Sequence, residues 1–297
     1  MSWRTVVVSS HCKLEYKLGY LVCRGETTKK IHLSEIGSLI IETPAVSFTA
    51  VLICELIKNK INVVFCDEKH NPHSQVLAIH GSHDTSKKLK NQIEWEPDIK
   101  TIIWTEIVKN KLIQQASFLS YLNLSQAEKL FSYIKELQLG DSTNREGHAA
   151  KVYFNALFGE NFYRGDTDFI NSALNYGYSL ILSLFNRIIV ANGYNTQIGL
   201  FHKNEFNPFN FSSDLMEPFR PLVDRMVYNI KSKSFDTEEK RYMQNIFNEK
   251  VFIFGKMYCL TDAAAIYCKS IFEALCNRDV SLIKNYELQI YENSCFF

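Results

Sequence analysis

Over the first eighty residues the apolar positions come in short runs with the two-residue rhythm of β-strands. TVVV at 5–8 is one such run. Segments 13–17 and 20–24 flank Leu18-Gly19 and predict a hairpin, SLIIE at 38–42 and NVVFC at 62–66 predict two more strands, and 75–79 a weaker one. Between them SFTAVLICELIKNK, 47–60, has helical spacing. This pattern predicts a small β-rich domain over residues 1–80 with one covering helix.

The rhythm then changes. SHDTSKKLKNQ, 82–92, is polar and basic, and predicts a linker over 81–92. Helical spacing recurs at 93–122, 125–138, 144–158, 168–192, 213–231, 236–254 and 261–276, which predicts an all-α domain over 93–297. The 168–192 segment is apolar nearly all round, as a central buried helix should be, and Gly193 suits its left-handed cap. The expected fold class is α+β in two domains.

Two stretches break the pattern. In STNREGHAAKVYFNALFG, 142–159, Glu146 shares a helical row with Ala149, Ala150, Tyr153, Ala156 and Leu157, where a carboxylate is out of place. Thr143 and Glu146 have the T-x-x-E spacing of a capping box, which would occupy Glu146 structurally. The alternative is a carboxylate held in a cleft as a metal ligand or general base. In QIGLFHKNEFNPFNFSSDLMEPFRPLVDRMV, 197–227, His202 lies in a loop and Ser213 is placed to cap a helix. Asp214 and Glu217 fall in its first turn, where acidic side chains suit the helix dipole without any catalytic role. Leu215, Phe219, Leu222 and Met226 form the apolar stripe, while Pro218 and Pro221 should distort the start. Two carboxylates and one imidazole together suit Mg²⁺ or Mn²⁺. Zinc would need more Cys or His ligands, and Cys66, His70 and His73 lack an evident fourth.

Composition narrows the field. Of 297 residues, 46% are hydrophobic and 22% charged, which excludes a disordered chain. Net charge is +1, so any nucleic-acid surface must be a local patch. Lys87, Lys88 and Lys90 in the linker, with Arg145, Arg220 and Arg225 near the acidic residues, are the candidates, against the plain reading of the lysines as a solvated hinge. The eight cysteines form no C-x-x-C pair and suggest free thiols in a reducing, cytoplasmic setting. No run reaches transmembrane length.

WRTVVV at 3–8, HLSEIGSLIIET at 32–43, NREGHAAKVYF at 144–154, LNYGY at 174–178, IGLFH ending at His202 and SSDLMEPFRPLVD at 212–224 occur in one order and spacing. On these motifs the whole chain resembles the CRISPR-associated spacer-acquisition integrases, in the version that accompanies type II systems. The resemblance implies an N-terminal β-sandwich and an α-helical catalytic domain. It implies a metal triad at Glu146, His202 and Glu217, with Asp214 auxiliary. The last ligand is often Asp in the family, and Glu here should keep metal binding while altering preference. The implied reaction is metal-dependent transesterification, inserting short DNA fragments at a repeat, with hydrolysis of branched DNA as a side activity. Implied partners are DNA (fragment and leader-repeat), a second copy of the chain through the β-rich domains, a small ferredoxin-like companion subunit, the type II effector nuclease and a ring-shaped DNA-end-binding protein. A DNA-binding scaffold without catalysis and a branched-DNA repair nuclease are the competing readings.

Overall fold

The structure, a computed structural model, describes residues 4–287; Trp3 and Cys295 lie outside them. The N-terminal region contains β1 (Arg4–Val8), β2 (Cys12–Lys17), β3 (Tyr20–Arg24), β4 (Thr28–His32), β5 (Ile36–Ile41), β6 (Val46–Phe48), α1 (Ala50–Lys58), β7 (Asn62–Cys66) and β8 (Pro72–Val76). Leu18 and Gly19, both at positive φ, close the expected β2–β3 hairpin. The weak strand expected at 75–79 lies at 72–76, antiparallel to β7.

Two four-stranded sheets, ordered β1-β5-β7-β8 and β4-β3-β2-β6, share one apolar core with α1. The period-2 geometry of β5 then links this core to the rest of the molecule. Leu39 and Ile41 face the sandwich core, whereas Ile40 belongs to the helical one. A strand covered on both sides reads as an unbroken apolar run, as IGSLII does.

The larger region contains α2 (Thr85–Glu94), α3 (Pro97–Tyr121), α4 (Gln126–Glu136), α5 (Arg145–Phe158), α6 (Phe169–Ala191), α7 (Asn210–Met216), α8 (Arg220–Tyr228), α9 (Thr237–Gln244), β9 (Lys250–Ile253), β10 (Lys256–Cys259), α10 (Leu260–Asn277) and β11 (Tyr286–Glu287). The central helix is α6. Asp168 caps it by accepting from the Asn171 N–H at 2.7 Å, and Gly193 at φ 84° turns the chain away.

Residues 82–92, expected as a linker, are largely helical: α2 begins at Thr85 and buries Gln92 against the loop after α6. Two expectations are corrected. The helix expected over 213–231 begins at Asn210, so Ser213 is inside it and is not its cap. A 3-10 turn at Glu217–Phe219 then breaks it before α8, where Pro218 and Pro221 lack the amide hydrogens to continue an α-helical ladder. Residues 236–254 are not one helix: α9 ends at Gln244 and β9 begins at Lys250. The mainly helical region therefore contains a small sheet, β10-β9-β11. Among the described residues no helix is long and apolar enough to cross a membrane.

Candidate active site

Glu146 is in the first turn of α5, but no capping box forms there. Asp141 does the capping: its Oδ1 accepts the Arg145 N–H at 2.7 Å and its Oδ2 the Glu146 N–H at 3.0 Å. The Thr143 hydroxyl has no hydrogen-bond partner. With the helix end satisfied elsewhere, Glu146 Oε1 is free to accept from the Lys111 ammonium at 2.5 Å.

Glu217 reaches the same ammonium from the other side. The 3-10 turn aims its side chain inward, so that Oε2 lies 2.5 Å from Lys111 Nζ and Oε1 accepts from Arg220 Nε at 2.8 Å. Burial opposes its ionisation, yet Arg220 and Lys111 hold the Glu217 carboxyl down at about 2. Burial also pulls against the Lys111 ammonium, but Glu217 and Glu146 outweigh it and raise its pKa. Each carboxylate oxygen being 2.5 Å from the same nitrogen, the two lie no more than ~5 Å apart, and without a cation would repel by about 3 kcal/mol at an effective dielectric constant of ~20.

His202 completes the group. Its loop is fixed by Asp214, fully buried on α7, whose carboxylate accepts the N–H groups of Leu200 (2.6 Å), Phe201 (3.1 Å) and His202 (3.2 Å). The same carboxylate holds the imidazole Nδ1 at 2.5 Å. Trp104 braces the loop, stacking on Phe201 at 4.5 Å and meeting the His202 ring edge-on at 5.6 Å. The hydrogen bond to Asp214 is the main cause of the raised His202 pKa; burial opposes it, and the charges of Asp214, Glu217 and Glu146 add to it. The imidazole thus shares one electrostatic neighbourhood with both glutamates.

Among the described residues no three His, Cys, Asp or Glu side chains already stand at metal-binding spacing. The donor chemistry nonetheless fits a hard divalent cation. Two carboxylates converge on one positive charge, beside an imidazole whose Nδ1 is engaged and whose Nε2 is the nitrogen left for a ligand. Against Glu217 opens a cavity of about 120 Å³, lined also by Lys111, Gln115, Arg164, Tyr178, Arg220 and Asp224.

Lys111 was not anticipated from the sequence. It occupies the row of Trp104, Val108, Gln115 and Phe118 on α3, all buried, so a charged residue on an apolar stripe was the available signal, as it was for Glu146. Of the candidate DNA contacts, Arg220 lines the cavity. Arg145 is paired with Glu136 at 2.9 Å and Arg225 with Glu249. On α2, Lys88 is paired with Asp84 at 3.0 Å and Lys90 lies 3.9 Å from Glu94, while Lys87 is exposed.

Residues 5–253 match the family model described as CRISPR associated protein Cas1. The chain belongs to the Cas1 family. It is 35% identical over 233 residues to the CRISPR-associated endonuclease Cas1 of Neisseria meningitidis, covering 77% of this chain and 76% of that one. The Cas1 endonuclease of Francisella tularensis subsp. novicida is 26% identical over 238 residues, covering 72% and 74%. Among solved structures, a casposase bound to its integration product superposes with a TM-score of 0.77 at 18% identity, covering 99% of this chain and 96% of that one. A Cas1 protein from Thermotoga maritima gives 0.70 at 18% identity, over 92% and 97%. At such identities the structures attest the shared fold, and the family rests on the sequence matches.

Proposed function

We propose that this Cas1-family chain is the metal-dependent integrase of CRISPR adaptation, acting on DNA at the Glu146–His202–Glu217 centre. The observation that carries this reading is the convergence of Glu146 and Glu217 on one buried cationic point beside the Asp214-held His202. Mg²⁺ or Mn²⁺ held by these three side chains would supply Lewis-acid polarisation of a phosphate and activation of a 3′-hydroxyl. The incoming 3′-oxygen forms a new bond to phosphorus, the bond to the strand's own 3′-oxygen breaks, and the proton lost by the nucleophile is returned to that leaving oxygen. No covalent enzyme intermediate is needed.

The chain's own groups have distinct tasks. Asp214 orients the imidazole and keeps Nε2 directed outward as the free nitrogen. Arg220 balances the charge on Glu217 and, with Arg164, gives the cavity wall a positive potential suited to a DNA phosphate. Lys87, Lys88, Lys90, Arg145 and Arg225 are proposed as further phosphate contacts, those in ion pairs exchanging their partners for DNA. Such contacts make binding salt-dependent and indifferent to sequence. We assign dimerisation to the β-rich region and a small companion subunit to the assembly. A match to a chain of a Cas6-RT-Cas1–Cas2 complex, TM-score 0.69 at 18% identity, agrees with a Cas1 fold working in that setting. A type II effector and a ring-shaped end-binding protein remain proposals from the sequence motifs.

The test is strand transfer of a labelled duplex into a supercoiled repeat plasmid, with the companion subunit and Mn²⁺. Product from the wild type, and at least about a hundredfold less from Glu146→Gln or His202→Ala, is expected. Equal product from all three would overturn the assignment. Cleavage of branched DNA without joining would favour the repair-nuclease reading, and DNA binding alone the scaffold.

A further inference from the structure

Lys111 occupies the point at which the proposed metal would have to be held. Its side chain is 9% exposed and its Nζ is 2.5 Å from one oxygen of each glutamate, so ammonium and divalent cation compete for one place. A buried ammonium cannot simply be expelled, because an unpaired charge in the interior is costly. It needs another acceptor within reach.

Such an acceptor is present. Asp224 on α8 is fully buried, and although its Oδ1 accepts from the Tyr178 hydroxyl, its Oδ2 has no hydrogen-bond partner. The Tyr153 hydroxyl lies close enough to favour the Asp224 carboxylate, but the two do not close a hydrogen bond, and that hydroxyl too is left without a partner. Gln115, one turn after Lys111 on α3, likewise has a buried Oε1 with no partner. Lys111, Gln115 and Asp224 all line the same cavity of about 120 Å³. Two buried, unpartnered oxygens in one small space are rare enough to require an explanation. A donor that arrives in a second state supplies it.

Building on the metal-centre reading, we propose that Lys111 is a two-position cation. Without metal its ammonium bridges Glu146 and Glu217 and keeps these like charges together; with metal it turns across the cavity to Asp224 Oδ2 and Gln115 Oε1. Lys111 is therefore a positioning residue that preassembles the site, and Asp224 is its receiver. The arrangement also keeps one positive charge at the cavity wall in the loaded state, where a DNA phosphate would approach.

The proposal is tested by Mn²⁺ affinity, measured calorimetrically on the full chain, in a double-mutant cycle. Lys111→Met should bind Mn²⁺ about tenfold more tightly, because the competitor is gone, and Asp224→Asn about tenfold more weakly, because the displaced ammonium loses its receiver. The decisive result is their coupling: Asp224→Asn should have little effect in the Lys111→Met background. Purely additive effects would mean that both residues act through the general field, and would overturn the proposal while leaving the metal centre intact. Absence of Mn²⁺ uptake by the wild type and by Lys111→Met alike would overturn both. Should Lys111→Met fail to fold without metal, Lys111→Gln replaces it in the cycle. A crystal structure of the Mn²⁺-loaded wild type gives an independent readout. Nζ beside Asp224 Oδ2 supports the exchange, and Nζ still between the glutamates refutes it.

Discussion

Asp214 has four hydrogen bonds converging on one buried carboxylate, three from backbone N–H groups and one from the His202 ring. Asp214→Asn keeps the size but replaces one acceptor oxygen with a donor amide. The His202 pKa should then fall toward its ordinary value, and Mn²⁺-dependent strand transfer should drop about 10–100-fold; an NMR pH titration of the ring checks the first. In the metal-free protein the wild-type pairing contributes stability that is fully present below about pH 6.5 and is lost as pH rises through the raised His202 pKa. Metal uptake has the opposite sign, since only the neutral imidazole binds. Mn²⁺ affinity should weaken on acidification, beginning above pH 6.5 in the wild type and at lower pH in Asp214→Asn. Identical midpoints for the two proteins would contradict this. At this scale the residues that meet around Lys111 were legible, Glu146 as a charge on an apolar row and Glu217, with His202 nearby, through their motifs. Lys111 was not, because a lysine on a helix ordinarily extends to solvent and its two acceptors are 35 and 106 residues away.

Elements are held in register by close backbone approaches at two glycines. A Cβ on Gly177 of α6 would lie 2.4 Å from Val223 Cγ1 of α8 and 2.7 Å from Met243 Cε of α9. Gly177→Ala should therefore destabilise the fold by about 1–3 kcal/mol, as read by urea unfolding. A Cβ on Gly199 would lie 2.6 Å from the His202 carbonyl oxygen and 2.7 Å from Asp214 Oδ2. Gly199→Ala should shift the turn that aims His202, and lower Mn²⁺ affinity by at least about tenfold with a smaller loss of stability than Gly177→Ala. Long periodic elements such as α6 were readable from spacing alone. The errors fell where spacing was ambiguous: Met243, Ile246, Phe247 and Val251 are all buried and continue a helical row, yet the chain leaves the helix at Gln244. The competing signal was the Phe254-Gly255 pair, which takes positive φ and closes the β9–β10 hairpin. Likewise the basic composition of 82–92 suggested a hinge and concealed Gln92. Its amide donates to the carbonyls of Asn195 and Ile198, both at 2.9 Å, and accepts the Asn195 N–H at 2.8 Å.

Across the whole molecule, two cores are joined by buried polar contacts as well as by Ile40. Asn62 of β7 donates to the Ser183 hydroxyl of α6 at 3.0 Å, and Gln244 at the end of α9 donates to Glu42 at 3.2 Å and to the Tyr176 hydroxyl at 3.0 Å. Such contacts favour unfolding as one unit, so a single buried group can set the pH dependence of the whole. Asp224 is one such group in the neutral range, alongside His202. Burial pushes its carboxyl up to about 7, despite the hydrogen bond from Tyr178 and the charges of Lys111 and Arg220. An unfolded aspartate titrates near 3.9, so between about pH 4 and 7 the folded chain binds more protons at this position than the unfolded one. Stability from Asp224 is therefore greatest at the acidic end and falls as pH rises, by up to about 1.4 kcal/mol per pH unit. Glu217 works in the other direction but only below its unfolded pKa of about 4.3, so the two windows separate. Chemical unfolding of metal-free wild type and Asp224→Asn at pH 5, 6 and 7 isolates the effect. The stability difference between the two proteins should shrink or reverse toward pH 7, and parallel curves would show that the folded Asp224 is already ionised throughout.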